Sequence, residues 1–159
     1  MALINEYMLS EAAKKEVNGA QVIAISGNFE TTAADDAGSK YRICKVGADW
    51  VPLQIQINND AIAGADDVDL GLYETLENGG AVKDADCFID GDDIHAGAAL
   101  GSEIDGLQSL DIDEIGDQMY EHAGDDDASA QMYDLVLTSN NAITDAGTIA
   151  IRALFLKAA

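Results

Sequence analysis

The sequence predicts an all-β chain: an antiparallel β-sandwich, jelly-roll-like or immunoglobulin-like in topology, with a short helix and a flexible N-terminal arm. Three observations predict it. Short runs alternate apolar and polar residues with the period of two that a half-buried strand requires. Clusters of Gly, Asn and Asp, which tolerate turn geometry at low cost, separate those runs. No long helical period lies between them, so a layout of strands joined by crossover helices is not expected, and a sandwich or barrel is.

The stretch Trp50–Tyr73 organises the chain. Val51, Leu53, Ile55 and Ile57 alternate with Pro52, Gln54, Gln56 and Asn58, and Val68, Leu70 and Leu72 alternate with Asp67, Asp69 and Gly71. Asn58-Asn59-Asp60 and Gly64-Ala65-Asp66 supply turn chemistry between the two. Each run has one apolar face, so a second layer must cover it. Pro52, which cannot donate to a ladder, suits an edge or a strand start.

Taken in order, residues 1–20 form the arm, too short to hold a helix alone, and residues 21–159 form the β-domain. The arm's apolar Leu3, Ile4, Tyr7, Met8 and Leu9 are the candidate partner-binding residues. Gln21–Ser26 reads as a strand followed by a loop from Gly27 to Ser39, and Lys40–Val46 as a strand rich in β-formers. Asn78-Gly79-Gly80 marks a hairpin between Leu72–Thr75 and Ala81–Ile89, because a tight hairpin tip needs positive φ. From Ile94 to Asp127 alternation is lost. Within it, Leu110–His122 places Ile112, Ile115 and Met119 on one side with acids early, the pattern of a short helix. Gln131–Thr138 and Gly147–Lys157 are the closing strands.

Charge excludes some functions. Eight basic residues stand against thirty acidic ones, a formal net charge of -22, and no Lys or Arg lies between Lys83 and Arg152. Such a surface repels nucleic acid and anionic membrane, so neither is an expected partner. The first residues lack a basic region followed by an apolar run, and no run is long enough to span a bilayer, so synthesis in the cytosol is expected. Cys44 and Cys87 lie in strand-like runs and read as small structural thiols rather than a bridge.

Motifs for chemistry are sparse. Asp84, Asp86, Asp90 and Asp92 invite calcium, which needs six to eight oxygens; the spacing is wrong for an EF-hand loop, with Phe88 where a third ligand belongs. Asp84 and Asp86 read equally as the wet face of a strand. Asp66, Asp67 and Asp69 join only if the fold brings their strand alongside, and Asp125-Asp126-Asp127 is a second acidic loop of the same kind. His95 and His122 have no partner at metal-ligand spacing. No nucleophile elbow and no phosphate-cradling glycine loop occurs, so no cofactor and no enzyme activity is expected. Trp50, Tyr73, Tyr41, Tyr133 and Phe155 are read as core or interface aromatics, with a sugar platform as the alternative.

The ordered set Gly38–Val46, Val51–Ile57, Val68–Tyr73, Lys83–Asp90, Tyr133–Thr138 and Ala146–Leu156 resembles small structural proteins of tailed-phage heads, over residues 21–157. The resemblance implies a head decoration, or cement, protein: a β-sandwich, often a trimer, on the outside of the shell. Its implied partner is the major capsid protein, and its implied place is the virion, after synthesis in host cytoplasm. Competing expectations are a tail- or fibre-associated β-module that binds host glycan and a calcium-dependent binding module.

Overall fold

The structure, a computed structural model, describes residues 20–157. Eight strands carry the fold: β1 (Gln21–Thr31), β2 (Ser39–Gly47), β3 (Trp50–Asn59), β4 (Val68–Glu74), β5 (Val82–Asp92), β6 (Ile104–Asp105), β7 (Met132–Ser139) and β8 (Gly147–Lys157). The one described α-helical turn is α1 (Met119–His122).

The pairing follows a simple rule. β1 pairs with β8, β2 with β7, β3 with β6 and β4 with β5, all antiparallel. The chain is therefore one long hairpin bent back on itself. Rolling that hairpin lets β3 pair with β8 and β4 with β7, giving two four-stranded sheets ordered β1-β8-β3-β6 and β2-β7-β4-β5. This is the jelly roll rather than the immunoglobulin-like arrangement. β3 and β4, adjacent in sequence, lie in opposite sheets, and each supplies part of the layer that covers the other. Ile55 and Ile57 of β3 and Leu70 and Leu72 of β4 are all fully buried in one core, with Phe88, Leu135, Leu137 and Phe155. Burying each such side chain contributes about 2 kcal/mol of transfer free energy.

Several local readings change on folding, each for a long-range reason. β1 continues through Gly27 and Asn28 to Thr31, because β8 offers an equally long partner: Gly27 pairs with Ile151 and Asn28 with Ala150. Leu53 leaves the apolar face of β3. The register with β8 slips between Pro52 and Gln54, and the bulge turns Leu53 outward, 48% exposed. Asn58 and Asn59 end β3 instead of turning the chain. Asn58 Nδ2 donates to the carbonyls of Ala98 and Ala99, and Asn59 Nδ2 to that of Ile94 at 2.6 Å.

The hairpin between β4 and β5 is present, with Leu76–Asn78 as a 3-10 helical turn and φ values of 104° and 67° at Gly79 and Gly80. Arg42 of β2 holds it: its guanidinium donates to the carbonyls of Glu74 and Gly80 at 3.0 Å each and to Asp134 at 2.6 Å. Further along, β5 swings against β4. A Cβ at Gly71 would lie 2.1 Å from the Asp84 carbonyl oxygen, so glycine is what permits the approach.

The predicted helix over 110–122 is broken in two. Ile112–Glu114 form a 3-10 turn, Gly116 takes φ 92°, and only Met119–His122 are α-helical. The whole span between β5 and β7 is an excursion that also contains the short strand β6, which the sequence reading misses. Two residues without a period carry no strand signal. The cysteines are free thiols on strands that do not neighbour one another, β2 and β5. Burial pushes the Cys44 thiol up to about 11 and Cys87 up as well, so both stay protonated.

Candidate functional site

The excursion builds two surfaces of opposite character. The first is an acidic cleft of about 370 Å³ between β5 and the excursion, walled by Asp84, Asp86, Cys87, Asp90, Ser109, Asp111, Glu114, Glu121, His122 and Gly124. Alternation along β5 puts Asp84 and Asp86 on one side, and the Asp86 backbone N–H donates to Asp84 Oδ1. Asp84 is held above the usual carboxylate range, first by burial and then by its hydrogen bond with Asp86. On the opposite wall, two caps set the glutamates: Glu114 Oε2 accepts from the Asp111 N–H at 2.8 Å, and Glu121 Oε2 from the Gln118 N–H at 2.7 Å. His122 is 7% exposed, with its ring edge-on to Phe88 at 5.3 Å between centroids. Burial is the main influence on its pKa and pulls it down, which favours the neutral imidazole.

Three of the four aspartates singled out for calcium, Asp84, Asp86 and Asp90, therefore share this cleft; Asp92 does not line it and pairs with Val68 on β4. The pairing of β4 with β5 does bring residues 66–69 alongside. Asp67 and Asp69 are engaged by Asn140 Nδ2, at 2.8 Å each, and Asp69 also accepts from the Gly91 N–H. Asp66, Asp93 and His95 form an exposed group with ligand atoms within 4.8 Å of one another. Asp125 uses both oxygens structurally, accepting from Lys83 at 2.9 Å and from the Tyr133 hydroxyl at 2.5 Å, while Asp127 accepts from the Ser129 N–H. Asp125's carboxyl is held low, first by Tyr133 and then by Lys83.

The second surface is an apolar groove of about 480 Å³ against the outer side of β3. Leu53, Leu107, Leu110, Ile112 and Ile115 line it, with Glu103, Asp105, Asp111 and Glu114 around them. Ile112 is 90% exposed and Ile115 68%. Sequence reasoning places these two with Met119 on one side of a short helix. The break at Gly116 leaves them in solvent, and nothing local in the sequence signals that outcome. Trp50 packs on Phe155 and Tyr41 stacks on Phe29, while Tyr73 and Tyr133 are buried, so these aromatics do not form one exposed platform. Leu3, Ile4, Tyr7, Met8 and Leu9 lie outside the described residues.

Jelly rolls of two four-stranded sheets occur in viral capsid proteins, lectin domains and cupins. No protein-family model matches the sequence, and no curated protein matches it either. Solved structures do match in fold. The chain is similar to one in the capsid asymmetric unit of cyanophage Pam1, with a TM-score of 0.55, 13% identity and 99% of each chain covered. It is likewise similar to a chain in the capsid of Ralstonia phage GP4, with a TM-score of 0.61, 11% identity, and 98% of this chain and 92% of that one covered. At these identities the likeness establishes a shared fold and nothing finer. No helix among the described residues is long and apolar enough to cross a membrane.

Proposed function

We propose that this chain is a structural, non-enzymatic protein of a phage head: a decoration, or cement, protein that seats on the outer surface and bridges capsid subunits. The observation that carries the reading is the end-to-end likeness of its jelly roll to chains in two phage capsids. Its partner is then the major capsid protein, its place the virion, and its own assembly a homo-oligomer, with a trimer favoured.

The physical logic rests on contact. A shell packed with DNA is pushed outward, and a protein that grips two neighbouring subunits raises the cost of parting them. A few apolar anchors carry most of such binding energy. Leu3, Ile4, Tyr7, Met8 and Leu9 of the N-terminal segment are assigned to that role. The groove of Leu53, Ile112 and Ile115, rimmed by carboxylates, fits a capsid subunit surface that offers an apolar projection among lysines or arginines.

The test is reconstitution. Purified protein is added to shells lacking it, and binding is read by co-sedimentation and by the temperature at which the shells release DNA. Saturable binding with a raised release temperature supports the reading; no binding contradicts it. A chain lacking residues 1–20 is expected to fold with an unchanged melting temperature and to bind shells poorly. Undiminished binding would remove the arm from the interface.

A further inference from the structure

The chain ahead of β1 and the apolar groove on β3 meet at one end of the sandwich. Gln21, where β1 begins, and Trp50, where β3 begins, both pair with Lys157 of β8. The N-terminal segment therefore enters the sheet two strands, about 10 Å, from the start of β3. Pro52 and Leu53, which line the groove, lie just past that point. Residues 10–19 span at most about 35 Å when extended, enough to carry the apolar residues at positions 3–9 across β8 and β3. We propose that in the free chain the segment of residues 1–19 docks in its own groove. Leu3, Ile4, Tyr7, Met8 and Leu9 then cover Leu53, Ile112 and Ile115, and Lys14 and Lys15 meet the carboxylate rim.

Charge favours this occupant. No Lys or Arg lies between Lys83 and Arg152, so the excursion brings no cation of its own. Arg152 reaches Glu103 at 2.9 Å, and among the described residues no Lys or Arg pairs with Asp105, Asp111 or Glu114. Lys14 and Lys15, two of the chain's eight basic residues, stand just beyond the apolar stretch. An apolar run followed by cations complements an apolar trough rimmed by acids. Two lysines against three glutamates leave the segment at -1 in a chain of -22, so little repulsion opposes the contact.

The strand edge and the tether act in the same direction. β6 pairs with β3 only at Gln56 and Ile57, so the part of β3 that lines the groove ahead of them has no described strand beyond it. An open edge accepts an extended segment. A tethered segment is present at about millimolar effective concentration, above what a second copy reaches in dilute solution. Docking covers the apolar patch of an unassembled chain and keeps copies from joining through it. The decoration role proposed above needs both surfaces released to the shell. The contact therefore adds little to global stability, and melting temperature does not read it.

Cross-linking in the full chain tests the docking. Tyr7→Cys is combined with Ile112→Cys in the groove or, as the control, with Leu76→Cys, 67% exposed on the β4–β5 hairpin. Native Cys44 and Cys87 are held protonated by burial and react slowly. Under mild oxidant the groove variant should close an intrachain disulfide about tenfold faster than the control, read by non-reducing electrophoresis and peptide mass. Lys14→Glu with Lys15→Glu should slow that closure severalfold, as should added salt, while Lys14→Arg with Lys15→Arg preserves it. Equal rates in the groove and at the hairpin overturn the proposal, as does closure that the glutamate substitutions leave unchanged. A disulfide that joins two chains overturns it as well and gives the groove to a second copy. No shell enters these assays, so their failure leaves the decoration role standing, and a failure of shell binding leaves the docking standing.

Discussion

The strand framework and the excursion between β5 and β7 are stabilised by different physics. The framework is held by apolar side chains that alternate into one core, where Ile55, Leu72, Leu135 and Phe155 have no exposure. The excursion buries few residues, among them Ile94, Met119 and His122. Short polar devices shape it instead: Asp105 caps Leu107, Glu114 and Glu121 cap their turns, and Asp127 caps Ser129. Long-range backbone bonds pin it to the sandwich, from Gly106 to Ile55, Ser109 to Phe88 and Tyr120 to Ala48. The difference teaches that stability resides in the sandwich, while both candidate surfaces lie where the excursion meets it, so substitutions should separate the two.

The largest effect is expected in the core. Leu135→Ala leaves a cavity between the sheets and should cost about 4 kcal/mol in denaturant unfolding; a loss under about 1 kcal/mol would mean that the sheets do not share this core. Next is the brace of β2 on the β4–β5 hairpin. Arg42→Met strands Asp134, whose side chain is 7% exposed, and should cost about 3 kcal/mol. Asp134→Asn on that background should recover part of the loss, and strict additivity would argue against a coupled pair.

A smaller, pH-dependent effect tests the tie between the excursion's end and the sheets. Asp125 is held low by Tyr133 and Lys83. Its folded pKa therefore lies below the unfolded value, so its contribution is complete above the ordinary aspartate range and disappears as pH falls through the folded pKa. Asp125→Asn should cost about 1–2 kcal/mol at neutral pH and converge with the parent protein at strongly acidic pH. A constant gap across the whole range would assign the effect to packing rather than to charge. The smallest effect is expected at the groove: Ile112→Ser, at a 90% exposed position, should change stability by less than about 0.5 kcal/mol. A larger loss would place Ile112 in the core and merge the two regions.

This division also governs what the sequence discloses. Runs of alternating residues in β2, β4, β7 and β8 are legible because each strand's inward face is written in its own residues. The jelly-roll pairing and the full length of β1 are not, since they depend on strands that are distant along the chain, as with Asn28 and Ala150. Leu53 obeys the pattern and still points outward, because the bulge is a property of the pair β3 and β8. The site was half legible. Asp84, Asp86 and Asp90 stand out as acids on one strand, whereas His122, 32 or more residues away along the chain, joins the same cleft only in the folded chain, where its ring packs on Phe88. No spacing rule connects it to them.

The central claim is that the chain is a component of a phage shell, present wherever the shell lattice repeats. The most direct measurement is its copy number per purified particle by quantitative mass spectrometry. A symmetric lattice predicts copies on the order of hundreds, in a simple ratio to the major shell protein. A handful of copies at a single vertex or along a tail would contradict lattice decoration, and absence from the particle would contradict the virion assignment itself.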